Sequence, residues 1–291
     1  MAVLCLLAAV AWMAATSGGA TPDDDPETAE RGGAGPARTT TDPLPVLEAP
    51  LGDEFDGSAL DTATWSTCYY WQAQGCTNEW NDELQAYHPG NVRVADGALE
   101  LIAREETTTG RLNDGTEQEF EYSSGMVSGH DAEVFQHGFV EVRARVPAGQ
   151  GLWPALWLLA ADRVWPPEID IMEFIGDETG VVHQTLWAAD GAPTRFRAEG
   201  LDYSQDWHTF AIDWRPGSLT FYVDGERQGE ATDGVPDEPM YVIANLAVGG
   251  EWPGPPGPET ELPATFSVDY IRIWPGTDGP PEGHPLHQGS S

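Results

Sequence analysis

The chain has 291 residues, of which 48 are acidic and 13 are basic, giving a formal net charge of −35 at pH 7. All basic residues are arginine, and the net charge would repel a phosphate backbone, so nucleic acid is excluded as a partner. Hydrophobic residues make up 40% of the chain, which supports a packed core and excludes wholesale disorder. Such an acidic surface fits either a high-salt habitat or a monomer kept apart by self-repulsion, and it tolerates an uncharged polymer as ligand.

The first twenty residues begin with an apolar run of about fifteen residues and end in small residues. Such a run is too short to span a bilayer securely and is typical of a secretory signal peptide. We therefore predict that residues 1–20 are a signal peptide, that the protein is secreted, and that it makes no stable membrane insertion. No Lys or Arg precedes the run, so a displaced start or a weak anchor is the alternative interpretation.

Two segments have the composition of linkers. Residues 21–45 and 276–291 are rich in Gly and Pro with little to bury, which predicts a disordered linker and a flexible tail. One domain is predicted between them, over residues 46–275. Within it, Cys68 and Cys76 form an even pair. In an exported protein this pair predicts one disulfide, and two free buried thiols are the alternative.

Short alternating segments dominate the predicted domain. Residues 91–105 predict two strands joined by an Asp-Gly turn, and residues 207–229 predict a strand, an Arg-Pro-Gly turn and a second strand. Residues 138–147 alternate strictly, with Val140 on one face and Glu141 on the other. No stretch longer than about twelve residues keeps a helical period. These features predict an all-β sandwich of two antiparallel sheets.

Three carboxylates, Glu168, Asp170 and Glu173, interrupt an otherwise apolar strand-like segment. Burying charged groups among apolar residues costs free energy unless the charges are paired or have a functional role. Glu168 and Asp170 share a strand face, and a β-bulge near Ile171 or Met172 would bring Glu173 onto the same face. Two carboxylates on one face are what a retaining glycosidase uses, one as nucleophile and one as acid/base, and a third carboxylate between them would tune both.

Three tryptophans flank these carboxylates, namely Trp153, Trp157 and Trp165. Aromatic faces stack on sugar rings, so we predict that these side chains bind substrate. The alternative is an acidic strand solvated on an outer face, where the tryptophans would have no such use.

Several motifs occur in a fixed order along the domain. They are DEFDGSALDTATW (53–65), NDELQAYHPGNVRVADGALEL (81–101), YSSGMVS (122–128), HGFVEVRARVPAGQGLWPALWLL (137–159), EIDIME (168–173), WHTFAIDW (207–214), YVDG (222–225), NLAVGGEWPG (245–254) and VDYIRIW (268–274). With these motifs the sequence resembles glycoside hydrolase family 16, the jelly-roll endoglycanases that include laminarinases. The resemblance implies a concanavalin-like β-sandwich with a concave substrate cleft.

The resemblance implies a role for each carboxylate. Glu168 matches the nucleophile of the family, Asp170 the supporting carboxylate, and Glu173 the general acid/base. The form E-x-D-x-x-E is similar to the bulged branch of laminarinases and agarases. Trp153 and Trp157 resemble tryptophans that line the cleft, and the chemistry needs no cofactor.

The resemblance also implies residues beyond the catalytic strand. Asn81 and Glu83 lie in a loop motif that borders the cleft in the family. Glu54, the backbone of Gly97, and Asp269 resemble a structural calcium site on the convex face, with the oxygen ligands that calcium prefers. A plain surface role for the last three residues is the alternative.

The sequence departs from the laminarinase pattern at several positions. Pro167 stands where a glycine usually precedes the catalytic glutamate, and Met126 stands where many laminarinases have arginine. His183 is kept, but Trp187 stands where a second histidine is common. These positions resemble substrate-binding positions, so the sugar specificity stays open.

These observations lead to a functional hypothesis. The leading interpretation is a secreted, monomeric, retaining endo-β-glycanase that acts on β-1,3-glucan. Within the same family, the alternatives are hydrolysis of mixed-linkage glucan, galactan or agar, and transglycosylation. A glucan-binding protein without catalysis is the alternative from another class, because a fold does not determine its function.

Overall fold

The computed structural model describes residues 49, 51–72, 75–189, 191–276 and 279–286. The predicted signal peptide and the predicted linker lie outside these residues. The described part contains seventeen strands and two short 3-10 helices, and neither helix is long and apolar enough to cross a membrane.

The strands are numbered in chain order. They are β1 (Leu51–Asp53), β2 (Gln85–Tyr87), β3 (Val92–Ala95), β4 (Ala98–Arg111), β5 (Glu117–Ser124), β6 (Met126–Ser128), β7 (Val134–Phe135), β8 (Gly138–Arg145), β9 (Leu152–Ala160), β10 (Glu168–Glu173), β11 (Val181–Trp187), β12 (Thr194–Glu199), β13 (His208–Arg215), β14 (Ser218–Val223), β15 (Glu226–Ala231), β16 (Met240–Val248) and β17 (Ala264–Pro275). The 3-10 helices span Glu79–Asn81 and Pro89–Asn91.

The described strands form two sheets. The first has ten strands in the order β15-β14-β13-β8-β17-β4-β5-β2, with β1 beside β17 and β3 beside β4. The second has seven strands in the order β12-β11-β10-β9-β16-β6, with β7 beside β16. The pairs are antiparallel except for β2 with β5, which is parallel. The predicted two-sheet sandwich is confirmed.

Alternation along the strands builds the core between the sheets. On β8, Val140, Val142 and Ala144 are buried in this core, as their period of two predicts. The predicted hairpin of β3 and β4 turns at Asp96 and Gly97, whose φ values of 55° and 74° lie in the left-handed region that such a tight turn requires.

The seven-stranded sheet carries the three acidic residues of β10. Its inner side contributes Ile169, Ile171 and Met172 to the core between the sheets. We call its other side the active face. A second, smaller cluster of buried residues, which includes Tyr69 and Tyr87, packs on the active face and covers part of it.

The chain continues to pack on the domain beyond the predicted boundary after residue 275. Glu141 lies on the face opposite Val140, as predicted, yet it is only 2% exposed because it accepts hydrogen bonds from the Tyr270 hydroxyl at 2.8 Å and from His284 Nε2 at 3.0 Å. His284 is itself buried and contacts the ring of Phe139 edge-on. The tail was predicted to be flexible along its whole length, but residues 279–286 lie against the outer side of the ten-stranded sheet, because Glu141 and Phe139 offer them a partner.

Candidate active site

The predicted bulge is present in β10. Neighbouring residues Leu156 and Trp157 on β9 pair with Met172 and Asp170, so that Ile171 is the extra residue. The pairing of β10 with β11 shifts at the same point. Because both Ile171 and Met172 turn into the core, the three carboxylates share the active face.

Each carboxylate accepts a hydrogen bond from a different tryptophan. The pairs are Trp165 Nε1 to Glu168 Oε2 at 3.0 Å, Trp187 Nε1 to Asp170 Oδ2 at 3.0 Å, and Trp153 Nε1 to Glu173 Oε1 at 3.1 Å. An indole N–H can only donate and does not titrate in the range where carboxylates do. These tryptophans therefore favour the ionised form of each carboxylate without adding a charge.

Burial favours the neutral form of each carboxyl, and its effect on the pKa is larger than that of the tryptophans. Burial, followed by repulsion from Glu173, raises the pKa of Glu168 to about 8. Burial, followed by repulsion from the adjacent carboxylate, also raises the pKa of Asp170 and of Glu173 well above the usual range. Contact with Asp170 lowers the pKa of Glu168 but raises that of Glu173. Contact with Asp170 therefore favours a proton on Glu173 over one on Glu168.

Exposed aromatic rings stand beside the carboxylates. Trp165 is 55% exposed, as a sugar-stacking residue needs to be. At the other end of β10, Trp252 is 42% exposed and contacts Trp153 and His183 edge-on, with centroids 5.5 and 4.9 Å away. His183 pairs with Glu173 across β10 and β11, and burial lowers its pKa. Sequence reasoning missed Trp252, although a tryptophan in the turn-rich motif after β16 was a usable signal.

Trp187 has a further neighbour that the sequence did not indicate. The guanidinium of Arg195 lies 4.8 Å from the centre of its ring, in a cation–π contact. Arg195 also lowers the pKa of Glu173 through its charge, after burial and the neighbouring groups have acted. Trp187 thus stays near the carboxylates in place of a histidine, and it supplies a donor that does not titrate.

Two residues predicted to contact substrate are covered instead. Trp157 is 9% exposed, and its indole donates to Asn245 Oδ1 at 2.7 Å. Glu83 is 8% exposed, and its carboxylate accepts a hydrogen bond from Asn81 Nδ2 at 3.1 Å. Both differ from the prediction because Trp157 packs inside the cluster that includes Tyr69, and Glu83 lies under Tyr87, whose hydroxyl donates to it at 3.1 Å. Asn81 is half-buried and keeps part of its side chain exposed.

The departure at Met126 has a packing explanation. Cys68 and Cys76 are joined in the structure, with Cα atoms 5.8 Å apart. The Cys76 sulfur lies 3.9 Å from the Met126 sulfur, and Met126 is fully buried. An arginine at this position would lose its hydration here, whereas a methionine fills the space against the two cysteines.

The residues predicted for calcium have other partners. Arg272 donates to both carboxylate oxygens of Glu54 at 2.7 and 2.8 Å, and Arg143 donates to Asp269 Oδ2 at 2.5 Å. Gly97 lies in the turn between β3 and β4. Among the residues that the structure describes, no three His, Cys, Asp or Glu side chains are arranged to hold a metal ion. The two carboxylate side chains therefore do not fit a calcium ion in this arrangement.

A jelly-roll sandwich with two glutamates and an aspartate together on one face is an arrangement found among glycoside hydrolases. Residues 79–272 match the family described as Glycosyl hydrolases family 16. The chain therefore belongs to glycoside hydrolase family 16.

Similar proteins agree with this assignment. Glucan endo-1,3-beta-glucosidase A1 of Niallia circulans is 34% identical over 269 residues, which cover 81% of this chain but only 39% of that protein. Beta-glucanase of Rhodothermus marinus is 33% identical over 267 residues, covering 80% of this chain and 87% of that protein. The endo-beta-1,3-glucanase structure from Pyrococcus furiosus has a TM-score of 0.69 and 34% identity, covering 79% of this chain and 95% of that one.

Proposed function

We propose that this protein is a retaining, endo-acting β-glycanase whose substrate is β-1,3-glucan. The observation that carries the proposal is the bulge at Ile171, because it gathers three carboxylates on one face beside exposed tryptophans. The names of the similar proteins from Niallia circulans and Pyrococcus furiosus, both 1,3-glucanases, support the choice of linkage.

The arrangement supports a two-step displacement. Glu173 would protonate the glycosidic oxygen while Glu168 attacks the anomeric carbon, forming a covalent glycosyl-enzyme. Glu173, now ionised, would then remove a proton from water as that water displaces Glu168. Asp170 contacts both glutamates, and its opposite effects on their pKa values favour this division of roles. Trp165 is exposed beside the nucleophile and would stack on a sugar ring.

We infer further that the protein is exported and acts as a monomer. The apolar run in residues 1–20 supports export. The pairing of Cys68 with Cys76 supports an oxidising compartment. The net charge of −35 supports a protein that repels its own copies.

The test is release of reducing ends by the full chain from laminarin, barley mixed-linkage glucan, agarose and galactan. Glu168→Gln should abolish release because it removes the nucleophile, whereas Glu119→Gln, an exposed glutamate on β5, should act like the wild type. NMR of the first product should show the anomeric configuration of the substrate. Activity in Glu168→Gln above about a tenth of wild type, or inversion at the anomeric carbon, would refute the mechanism.

The same panel separates the substrates. Release from laminarin with none from galactan or agarose supports the 1,3-glucanase. Binding to laminarin without release from any polymer would instead identify a glucan-binding protein.

A further inference from the structure

A chain of hydrogen bonds lies on the active face within the cluster that includes Tyr69 and Tyr87, and it ends at Glu83. The indole of Trp157 donates to Asn245 Oδ1 at 2.7 Å, and Asn245 Nδ2 donates to the Tyr87 hydroxyl oxygen at 3.0 Å. The Tyr87 hydroxyl donates to Glu83 Oε2 at 3.1 Å. Trp157 pairs directly with Asp170 between β9 and β10. We call these four linked side chains, from Trp157 to Glu83, the donor chain; it connects Glu83 to the strand position beside Asp170.

The two ends of the donor chain determine its direction. An indole N–H can only donate, and an ionised carboxylate can only accept. Glu83 also accepts from Gln85 Nε2 at 2.6 Å and from Asn81 Nδ2 at 3.1 Å. Three donors thus converge on its two oxygens. A proton on Glu83 would weaken these hydrogen bonds, and its O–H could donate to one of these three partners only if the Tyr87 hydroxyl reversed its hydrogen bond.

The donor chain is covered along its whole length. Trp157, Asn245, Tyr87 and Glu83 are between 0% and 9% exposed. A sugar in the cleft therefore does not reach the Glu83 carboxylate in this arrangement. The donor chain is the hydrogen-bonded route that links Glu83 to the strand position beside Asp170.

We propose that Glu83 is a positioning residue whose ionised carboxylate anchors the donor chain and thereby fixes Trp157 beside Asp170. The proposal rests on the glycanase function proposed above. It replaces the sequence-based prediction of a substrate contact at Glu83 with an indirect role. Since Trp157 forms part of the floor next to Asp170, a change in its orientation alters the surroundings of the catalytic carboxylates.

The surroundings of Glu83 make this anchor sensitive to pH. Burial raises the pKa of Glu83 to about 7, although the hydrogen bonds from Asn81, Gln85 and Tyr87 oppose the rise. The titratable groups of the described residues that face it are the phenols of Tyr87 and of Tyr69, which packs edge-on against Tyr87. No charged side chain among the described residues is a cause of the rise. Above neutral pH the donor chain ends in an ionised acceptor, and below neutral pH it ends in a neutral carboxyl, whose hydrogen bond with Tyr87 is weaker.

Two measurements on Glu83→Gln test the proposal. On laminarin at about pH 8, we expect kcat to fall about two- to tenfold, the effect of one altered hydrogen bond, with KM unchanged because the residue does not touch substrate. In NMR spectra, we expect the indole N–H resonance of Trp157, assigned with Trp157→Phe, to titrate near neutral pH in the wild type and to stay constant in Glu83→Gln. A raised KM with unchanged kcat, or the same titration in both proteins, would overturn the proposal.

Matched variants complete the design. Asp82→Asn removes the same charge from the exposed neighbouring residue and should leave kcat, KM and the Trp157 titration unchanged. If Glu83→Gln fails to fold, Tyr87→Phe interrupts the donor chain while keeping the Glu83 carboxylate, and it should also abolish the titration; a titration that persists contradicts the proposal. The Trp157 resonance can be followed in a protein without activity. If the wild type releases reducing ends from no polymer, the proposed function is refuted, whereas the NMR titration still tests the role of the donor chain.

Discussion

Replacing Glu83 with Gln should change how stability depends on pH. The pKa of Glu83 rises from its usual 4.5 to about 7 in the folded state because the side chain is buried. A carboxyl with a raised pKa stabilises the fold fully below the unfolded-state pKa, and that stabilisation is lost as pH rises through the folded-state pKa. The wild type should therefore lose stability from this group between about pH 4.5 and pH 7, and Glu83→Gln should not.

The size of the effect follows from the two pKa values. Each pKa unit corresponds to about 1.4 kcal/mol, so the wild type loses about 3 kcal/mol across the interval from 4.5 to about 7. The glutamine offers one acceptor oxygen to the three donors Gln85, Tyr87 and Asn81, so its NH₂ group faces at least one of them, at a cost of about 1 kcal/mol. Glu83→Gln should therefore be less stable than the wild type at about pH 4 and more stable by about 2 kcal/mol at about pH 8.

Thermal unfolding followed by circular dichroism across this pH range measures the difference. A gain of about 2 kcal/mol corresponds to a Tm higher by roughly 4 to 8 °C in a domain of this size. Asp82→Asn, which changes an exposed carboxylate next to Glu83, should give a Tm curve parallel to that of the wild type. Parallel curves for the wild type and Glu83→Gln would refute the assignment of a buried, shifted carboxyl.

Three further predictions concern other parts of the protein. Trp187→Phe removes the indole donor to the buried Asp170 carboxylate and should lower kcat about tenfold on laminarin, whereas Trp165→Phe should cost less because that tryptophan is 55% exposed. Thiol titration of the unfolded, unreduced protein should find neither Cys68 nor Cys76 free, and replacing both with alanine should destabilise the fold by about 2 to 3 kcal/mol. Adding EDTA should leave Tm unchanged, because the carboxylates predicted to bind calcium have arginine partners; a fall in Tm that added calcium reverses would contradict this.

The part of the site that could be predicted is the part that depends on local geometry. Because Asp170 and Glu173 are an odd number of residues apart, a regular strand would place the Glu173 carboxylate in the core. Burying that carboxylate is costly, so the spacing predicts a bulge instead. The alternation of β8 was equally decisive for Val140 and its neighbours, because a period of two leaves one side apolar. Both inferences need only the strand itself.

The part that could not be predicted depends on what packs above a strand. The sequence places Trp157 and Glu83 near the cleft but does not show that Tyr69 and Tyr87 cover them. Asn245 was the available signal, since a single amide in the otherwise apolar run of β16 needs a buried partner. His284 is a similar case. The Gly- and Pro-rich composition around it predicts a flexible tail and gives no sign that this one side chain pairs with Glu141.

The bulge in β10 serves the fold as well as the proposed chemistry. Without the extra residue, strict alternation would turn Glu173 into the core between the sheets, where an unpaired ionised carboxylate costs several kcal/mol. With it, Ile171 and Met172 both fill that core, and Glu173 reaches the active face where Trp153 donates to it. Burial still raises the pKa of all three carboxyls, so the fold is less stable at high pH than it would be without them. Keeping three carboxyls buried, close together and partly protonated therefore costs the protein stability. The apolar residues on the other side of the same strand help to offset this cost.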